Sequence, residues 1–256
     1  MLIVVSPAKR LDWTARDVET RAPRMQRDAD ILAGHVRALG LGGLKDLMGL
    51  SDALARLNRD RFRAMREGAE RRPAAWAFAG DTYQGLEMAS LDAAARDFAD
   101  ERLRILSGLY GLLRPRDAIE PYRLEMGSRL ATRRGRDLYA FWGARIAQAL
   151  AADAAAAGTG TLLNCASQEY FGAVDEGALG LEVITPRFLD ERDGEARVVA
   201  LHAKRARGAM ARFVCENRIT DPAALRDFDA GGYAYAPELS SPRAPAFVRG
   251  ATSEAA

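Results

Sequence analysis

The chain has 256 residues, 48% of them hydrophobic and 28% charged, with a net charge of only +2. That composition is one of an ordinary soluble globular protein with a large core, and it excludes disordered, collagen-like and strongly polybasic classes. No apolar run approaches the roughly 18 residues of a membrane span and no leader pattern opens the chain, so a cytoplasmic protein with no membrane partner is expected.

In chain order, residues 2–5 read as a fully buried strand ended by Ser6-Pro7. Residues 24–39 have helical spacing, and the glycines at 40–43 separate them from a second helical stretch. Residues 45–62 read as helix, a tight Gly49-Leu50-Ser51 turn, then helix. A short strand is expected at Trp76–Ala79, leading into the polar Gly80–Gly85 segment, and an amphipathic helix at 91–102. Residues 137–157 predict one helix stopped by Gly158, and Thr161–Asn164 a strand. Val183–Asp190 and Ala196–Ala203 flank Asp193-Gly194, a hairpin signal. Residues 204–218 are helical, 232–235 and 246–249 form a last hairpin, and the tail 251–256 is disordered. The expected fold class is therefore α/β (mixed α+β): a single domain over residues 1–250, with a mixed, partly antiparallel sheet flanked by helices.

Residues 106–127 combine Gly108, Gly111, Pro115 and Pro121 with Tyr110, Arg114, Arg116, Asp117, Glu120, Tyr122, Arg123 and Glu125. Backbone-restricting residues beside so many polar groups suit a rigidly held binding site, or else a buried salt-bridge network. Only three of 37 basic residues are lysines, Lys9, Lys45 and Lys204. Lys9 and Lys204 are thereby marked as positions that need a compact ammonium. Arginines cluster at 56–72, with seven against three acids, and at 102–145, with ten against four.

Further polar groups follow strand ends: Ser6 with Lys9, Asp81 with Tyr83, and Asn164, Ser167, Glu169 and Tyr170, with Lys204 and Arg207 opening an arginine-rich helix. Ser167 also reads as a plain helix N-cap. A Ser6/Lys9 nucleophile pair has little support without a Gly-x-Ser-x-Gly elbow. No phosphate loop or Gly-x-Gly-x-x-Gly occurs, so no nucleotide cofactor, and no other cofactor, is expected. His35 and His202 are the only histidines, neither has a Glu three residues before it, and no Cys-x-x-Cys exists, so no metal site is expected. Cys165 and Cys215 read as reduced core residues.

Taken together, Ser6-Pro7-Ala8-Lys9, Phe78–Leu86, Leu106–Gly127, Asp137–Gly143, Asn164–Phe171 and Lys204–Arg218 resemble the YaaA family of bacterial peroxide-stress-response proteins. The resemblance implies an unusual mixed α/β domain with a positively charged cleft. It also implies a role in limiting unincorporated intracellular iron during hydrogen peroxide stress, which protects DNA and proteins. A helix-hairpin-helix-like element linked to sequence-independent binding of double-stranded DNA falls on residues 45–62, with Gly49 and Ser51 in the turn and Arg56, Arg59 and Arg63 beyond it. Ala79 stands where a lysine is expected, and Cys165 and Gln168 vary the family's segment. A second function stays open beside DNA binding: an enzyme acting on a small anionic metabolite. In it Lys9 or Lys204 serves as charge or base, supported by Tyr110, Tyr122 and Glu125.

Overall fold

The computed structural model describes residues 1–65, 70–192 and 194–250. The expected tail and Asp193 of the expected turn lie outside the described residues. Leu2–Val5, a run with no polar side chain, is the middle strand of a five-stranded sheet. The order across that sheet is Gly111–Leu113, Leu103–Ser107, Leu2–Val5, Thr161–Cys165, Glu182–Ile184. Both neighbours of the middle strand run parallel to it, which places helices over both faces and explains why all four residues are buried. Only the edge strand Gly111–Leu113 is antiparallel, folding back on Leu103–Ser107. Gly111 (φ +67°) sits against Trp142 and Met25, where a Cβ would overlap both side chains.

A second, four-stranded sheet has the order Glu195–Arg197, Arg187–Arg192, Ala246–Arg249, Tyr233–Tyr235. It contains both expected hairpin pairings, Arg192 opposite Glu195 and Ala234 opposite Val248, together with one parallel pairing. One hydrophobic cluster runs from Leu2 and Ile3 of the first sheet to Phe188 and Phe247 of the second. The mixed α/β class with a partly antiparallel sheet is the fold observed.

Several boundaries differ from the sequence reading. Gly40–Met48 is helical from its first glycine, so the expected Gly-rich break is no more than the corner at Gly40 (φ +66°). Ala74–Ala77 is a helical turn, leaving only Phe78–Ala79 extended; the six small or aromatic residues between Pro73 and Gly80 satisfy either pattern. The expected 137–157 helix is two helices, Leu138–Trp142 and Arg145–Ala156, parted at Gly143 (φ +48°). The expected strand 183–190 divides at Thr185-Pro186 between the two sheets, because Pro186 has no N–H to continue a ladder. Residues from Ala200 onward belong to the long helix Ala200–Glu216 instead of the expected strand.

That helix packs on strands of both sheets and crosses the short helix Asp81–Leu86 at backbone contact. A Cβ at Gly208 would lie 1.8 Å from the Thr82 carbonyl oxygen, and one at Gly85 would lie 2.1 Å from the Arg205 carbonyl oxygen. Only glycine permits this approach. In contrast, Gly42 is exposed inside a helix with nothing near its missing Cβ. Gly208→Ala is expected to lower stability by more than the roughly 1–3 kcal/mol of a typical overpacked core, despite the gain of about 1 kcal/mol in helix propensity. Gly42→Ala, which gains propensity without a clash, is expected to raise the melting temperature. Thermal unfolding of the two variants beside the parent checks both signs.

Candidate functional site

The parallel register aligns Val5 with Cys165, so the chain leaves both strands at the same sheet end. Pro7 ends the first ladder, and Ser167 caps the helix Gln168–Phe171, its Oγ accepting from the Tyr170 amide at 3.4 Å. Ser6 Oγ accepts from the Ser167 amide at 2.9 Å and donates to Ser167 Oγ at 3.3 Å. Tyr83, on the crossing helix Asp81–Leu86, donates its hydroxyl to the Ser6 carbonyl at 3.1 Å. Three segments far apart in sequence are thus stitched together at the carboxyl ends of parallel strands, where open sheets place ligands.

A cavity of about 860 Å³ opens there. The strand-end loop contributes Ser6, Lys9 and Arg10, and the crossing helix contributes Asp81, Thr82 and Gln84. Cys165, Ser167, Glu169 and Tyr170 line it from the second strand, and Lys204 and Arg207 from the long helix, where three-residue spacing puts them on one face. Glu125 closes the list of charged lining groups.

Electrostatically these groups fall into two sets. Glu125 is engaged: Lys9 Nζ lies 2.9 Å and Arg123 3.0 Å from the same carboxylate oxygen. Burial by itself would raise the Glu125 pKa, but the bonds from Lys9 and Arg123 outweigh it and hold the carboxyl below the ordinary range. Glu169 is likewise committed, accepting from the Gly127 amide at 3.0 Å. In contrast, Asp81, Lys204 and Arg207 have no hydrogen-bond or ion-pair partner among the described residues. Burial lowers the pKa of the half-buried Arg207 guanidinium, with the Cys165 thiol acting in the opposite sense. Burial pushes the Cys165 thiol itself up to about 12, so it is protonated and unreactive at neutral pH. Tyr83 and Tyr170 are raised above the ordinary phenol range, first by burial, which makes them neutral hydrogen-bonding groups and not bases.

The other candidates lie elsewhere. Tyr110 is buried in the core, edge-on to Tyr122, and its hydroxyl accepts from the Glu120 amide at 3.1 Å. Tyr122 is 2.6 Å from Ser107 Oγ, beneath the site and not lining it. Arg114 faces away and joins Arg24 and Arg104 around the buried carboxylate of Asp153. Burial would raise the Asp153 pKa, yet the Arg104 and Arg24 bonds hold it low. Most of the 106–127 segment therefore forms a salt-bridge and core network, with Glu125 its one side chain in the cavity among the described residues. Asn164 opens into an adjoining cavity, its Nδ2 donating to Thr185 Oγ1 at 3.2 Å and its Oδ1 accepting from the Ala166 amide.

Comparison with known proteins bears on this arrangement. The family described as "Peroxide stress protein YaaA" matches residues 1–239. A UPF0246 protein of Ruegeria pomeroyi is 61% identical over 97% of this chain and 98% of its own length. UPF0246 proteins of Jannaschia sp. (58% identical; 100% and 98%) and Phenylobacterium zucineum (52% identical; 97% and 95%) match over comparable lengths. The chain belongs to the YaaA family of peroxide stress proteins.

Four of the six segments that carried the resemblance to that family meet at the cavity, Ser6–Lys9, Phe78–Leu86, Asn164–Phe171 and Lys204–Arg218, whereas Leu106–Gly127 reaches it only through Glu125 and Asp137–Gly143 does not line it. Thr82, Gln84 and Val198 line it too and were not singled out from the sequence, and Gln168, noted there only as a variation on the family's segment, lines it as well. Thr82 and Gln84 were legible as part of the polar segment after a strand end, whereas Val198 had no signal. The hairpin at 45–62 stands apart from the cavity lining. It consists of helices Gly40–Met48 and Asp52–Ala64, joined where Gly49 adopts φ +59° and Ser51 caps by accepting from the Leu54 amide. Arg56 and Arg63 are exposed on its second helix, while Arg59 pairs with Asp60 at 3.0 Å. Among the described residues no three His, Cys, Asp or Glu side chains gather as a metal site, and no helix is long and apolar enough to cross a membrane.

Because the folded Glu125 carboxyl titrates below its unfolded value, its contribution is present above the ordinary carboxylate pKa and is lost as pH falls through the depressed folded value. Glu125→Gln is expected to cost roughly 1–2 kcal/mol at pH 7, the lower range for bonds to a charged group, since Lys9 is largely exposed. Against the parent, that difference should begin to shrink as pH falls below the ordinary carboxylate value of about 4 and vanish only below the depressed folded value. Denaturant unfolding across that pH range measures it.

Proposed function

We propose that the cleft at the strand ends binds a small anionic ligand and that this binding underlies the protein's part in peroxide stress. One observation carries the reading: Arg207 is a half-buried guanidinium with no ion-pair or hydrogen-bond partner among the described residues. Burying an unpaired charge is costly, and a ligand's negative charge offsets that cost. Lys204 adds a second unpaired cation on the same helix face, and Ser6, Ser167 and the neutral Tyr170 supply hydroxyl groups. Cations backed by neutral donors suit a carboxylate or phosphate group. Asp81, a carboxylate without a partner on the facing helix, is placed to accept a proton if the bound anion reacts, which is how the cleft would serve an enzyme. Limitation of unincorporated iron, with DNA and proteins spared, is in this reading the outcome of ligand chemistry in the cleft, whose unpaired charged groups include Lys204, Arg207 and Asp81.

A second reading, double-stranded DNA binding independent of sequence, is favoured by the hairpin at 45–62. Its left-handed Gly49 turn opens onto a helix with Arg56 and Arg63 exposed. Backbone amides and arginines at such a turn contact phosphates without reading bases. The acids around the cleft repel a polyanion, so this reading assigns DNA to the hairpin and leaves the cleft to the small anion.

Arg207→Ala is expected to abolish protection of a peroxide-sensitive strain lacking the protein while leaving the melting temperature unchanged or higher, since an unpaired, half-buried charge is removed. Inorganic phosphate should raise the melting temperature of the parent and not of the variant, by mass action. Full protection by Arg207→Ala would sink the anion reading. For DNA, affinity should fall linearly on a log–log plot against salt, and charge reversal at Arg56 and Arg63 should weaken all sequences alike. Salt-insensitive binding, or binding unchanged by those reversals, would leave the hairpin purely structural.

A further inference from the structure

Arg207 borders two cavities, not one. On its far side from the strand-end cleft lies a second cavity of about 840 Å³, and Gln168 and Val198 border both as well. Each volume falls in the range of roughly 300–1,000 Å³ typical of small-molecule sites. The two differ in what lines them. The cleft gathers the hydroxyls of Ser6, Thr82, Ser167 and Tyr170, whereas the second cavity has Phe171, Val183, Pro186 and Phe188 in its wall, with the Asn164 amide, the Thr185 hydroxyl and the charged Glu176, Arg187 and Arg243 beside them.

The geometry points to a nucleoside monophosphate as the class of ligand, its phosphate in the cleft at Arg207 and Lys204 and its base in the second cavity. This rests on the anion-binding reading above and extends it by naming what the anion is attached to. Arg207 lies where a phosphate ester joins its organic part, between the chamber that holds the hydroxyls and one whose wall includes aromatic and aliphatic side chains. The base chamber carries the groups a nucleobase edge requires. Asn164 uses one amide proton on Thr185 and one lone pair on Ala166, which leaves one donor and one acceptor free on the same planar group. Gln168 has no partner among the described residues and offers the same pair from the shared rim. The half-buried ring of Phe171 and the side chain of Val183 provide a surface for base stacking. Recognition of this kind needs no glycine-rich phosphate loop, because side-chain cations take the place of backbone amides.

Ribose 5-phosphate shares the phosphate and sugar of AMP, GMP, CMP and UMP but lacks a base, so calorimetric titration of the full chain with these five compounds isolates the second cavity. At least one nucleotide should bind tenfold or more tightly than ribose 5-phosphate. Val183→Trp, which fills the second cavity, should erase that difference while ribose 5-phosphate binds as before. Arg207→Ala should weaken all five together. Equal binding of ribose 5-phosphate and every nucleotide by the parent overturns the base chamber and leaves the anion reading standing. If none of the five binds, both fall. Nucleotide binding that survives Val183→Trp, in a variant whose melting temperature matches the parent, also overturns the assignment.

Discussion

The site depends on one contact: the crossing of the helices Asp81–Leu86 and Ala200–Glu216 through Gly85 and Gly208. Two backbones meet there with no side chain between them. The long helix is anchored against both sheets, so the short helix is fixed by that contact relative to all of them. Asp81 and Thr82 on one helix then face Lys204 and Arg207 on the other across a gap of defined width. A methyl group at either glycine would push apart the walls of the cleft, not merely loosen a core. The hydroxyl of Tyr83 on the Ser6 carbonyl ties the same short helix to the end of the central strand, which closes the frame from the third side.

The distribution of arginine partners separates scaffold from site. Asp153 gathers Arg24, Arg104 and Arg114; Asp117 and Asp100 hold Arg21; Asp97 takes Arg116 and Asp28 takes Arg134. The positive excess over residues 102–145 is largely taken up by acids from other parts of the chain. What looks in sequence like a field for phosphates is in space a set of tethers. Arg207, with no such acid near it, is the exception that matters, and Lys204 shares its position. Lys9 and Lys204 both line the cleft, while Lys45 pairs with Asp52 at the helical hairpin.

Much of this was legible in the amino-acid order. The buried strand at 2–5, the strand at 161–164 and both hairpin pairings of the second sheet follow from apolar runs and turn residues, which are local signals. Leu103–Ser107 was not anticipated as a strand, because Arg104 and the glycines that follow break the pattern. Arg104 is nonetheless buried, made tolerable by Asp153, a partner that no local pattern announces. The grouping of Ser6, Asp81, Ser167 and Lys204 at strand ends could be read because each lies beside a strand or turn signal. That Tyr110 and Arg114 turn away from the cleft could not, since the 106–127 loop alone does not fix which side of the sheet its side chains meet. The second cavity was equally hidden, since the apolar part of its wall resembles any core and its charged residues lie far apart in the sequence.

The bond between Ser6 and Ser167 has a consequence for biogenesis. Its partners are 161 residues apart, and the central strand Leu2–Val5 finds its two parallel neighbours only at 103–107 and 161–165. Of the five strands of this sheet the first to be made is thus the middle one, and it has no neighbour until residues 103–107 follow and lacks its second until well over half of the chain has been made. Contacts of such long sequence separation slow folding and leave an all-apolar strand edge exposed meanwhile. The same interval makes premature termination products, which carry Leu2–Val5 without its partners, prone to associate with one another through that edge.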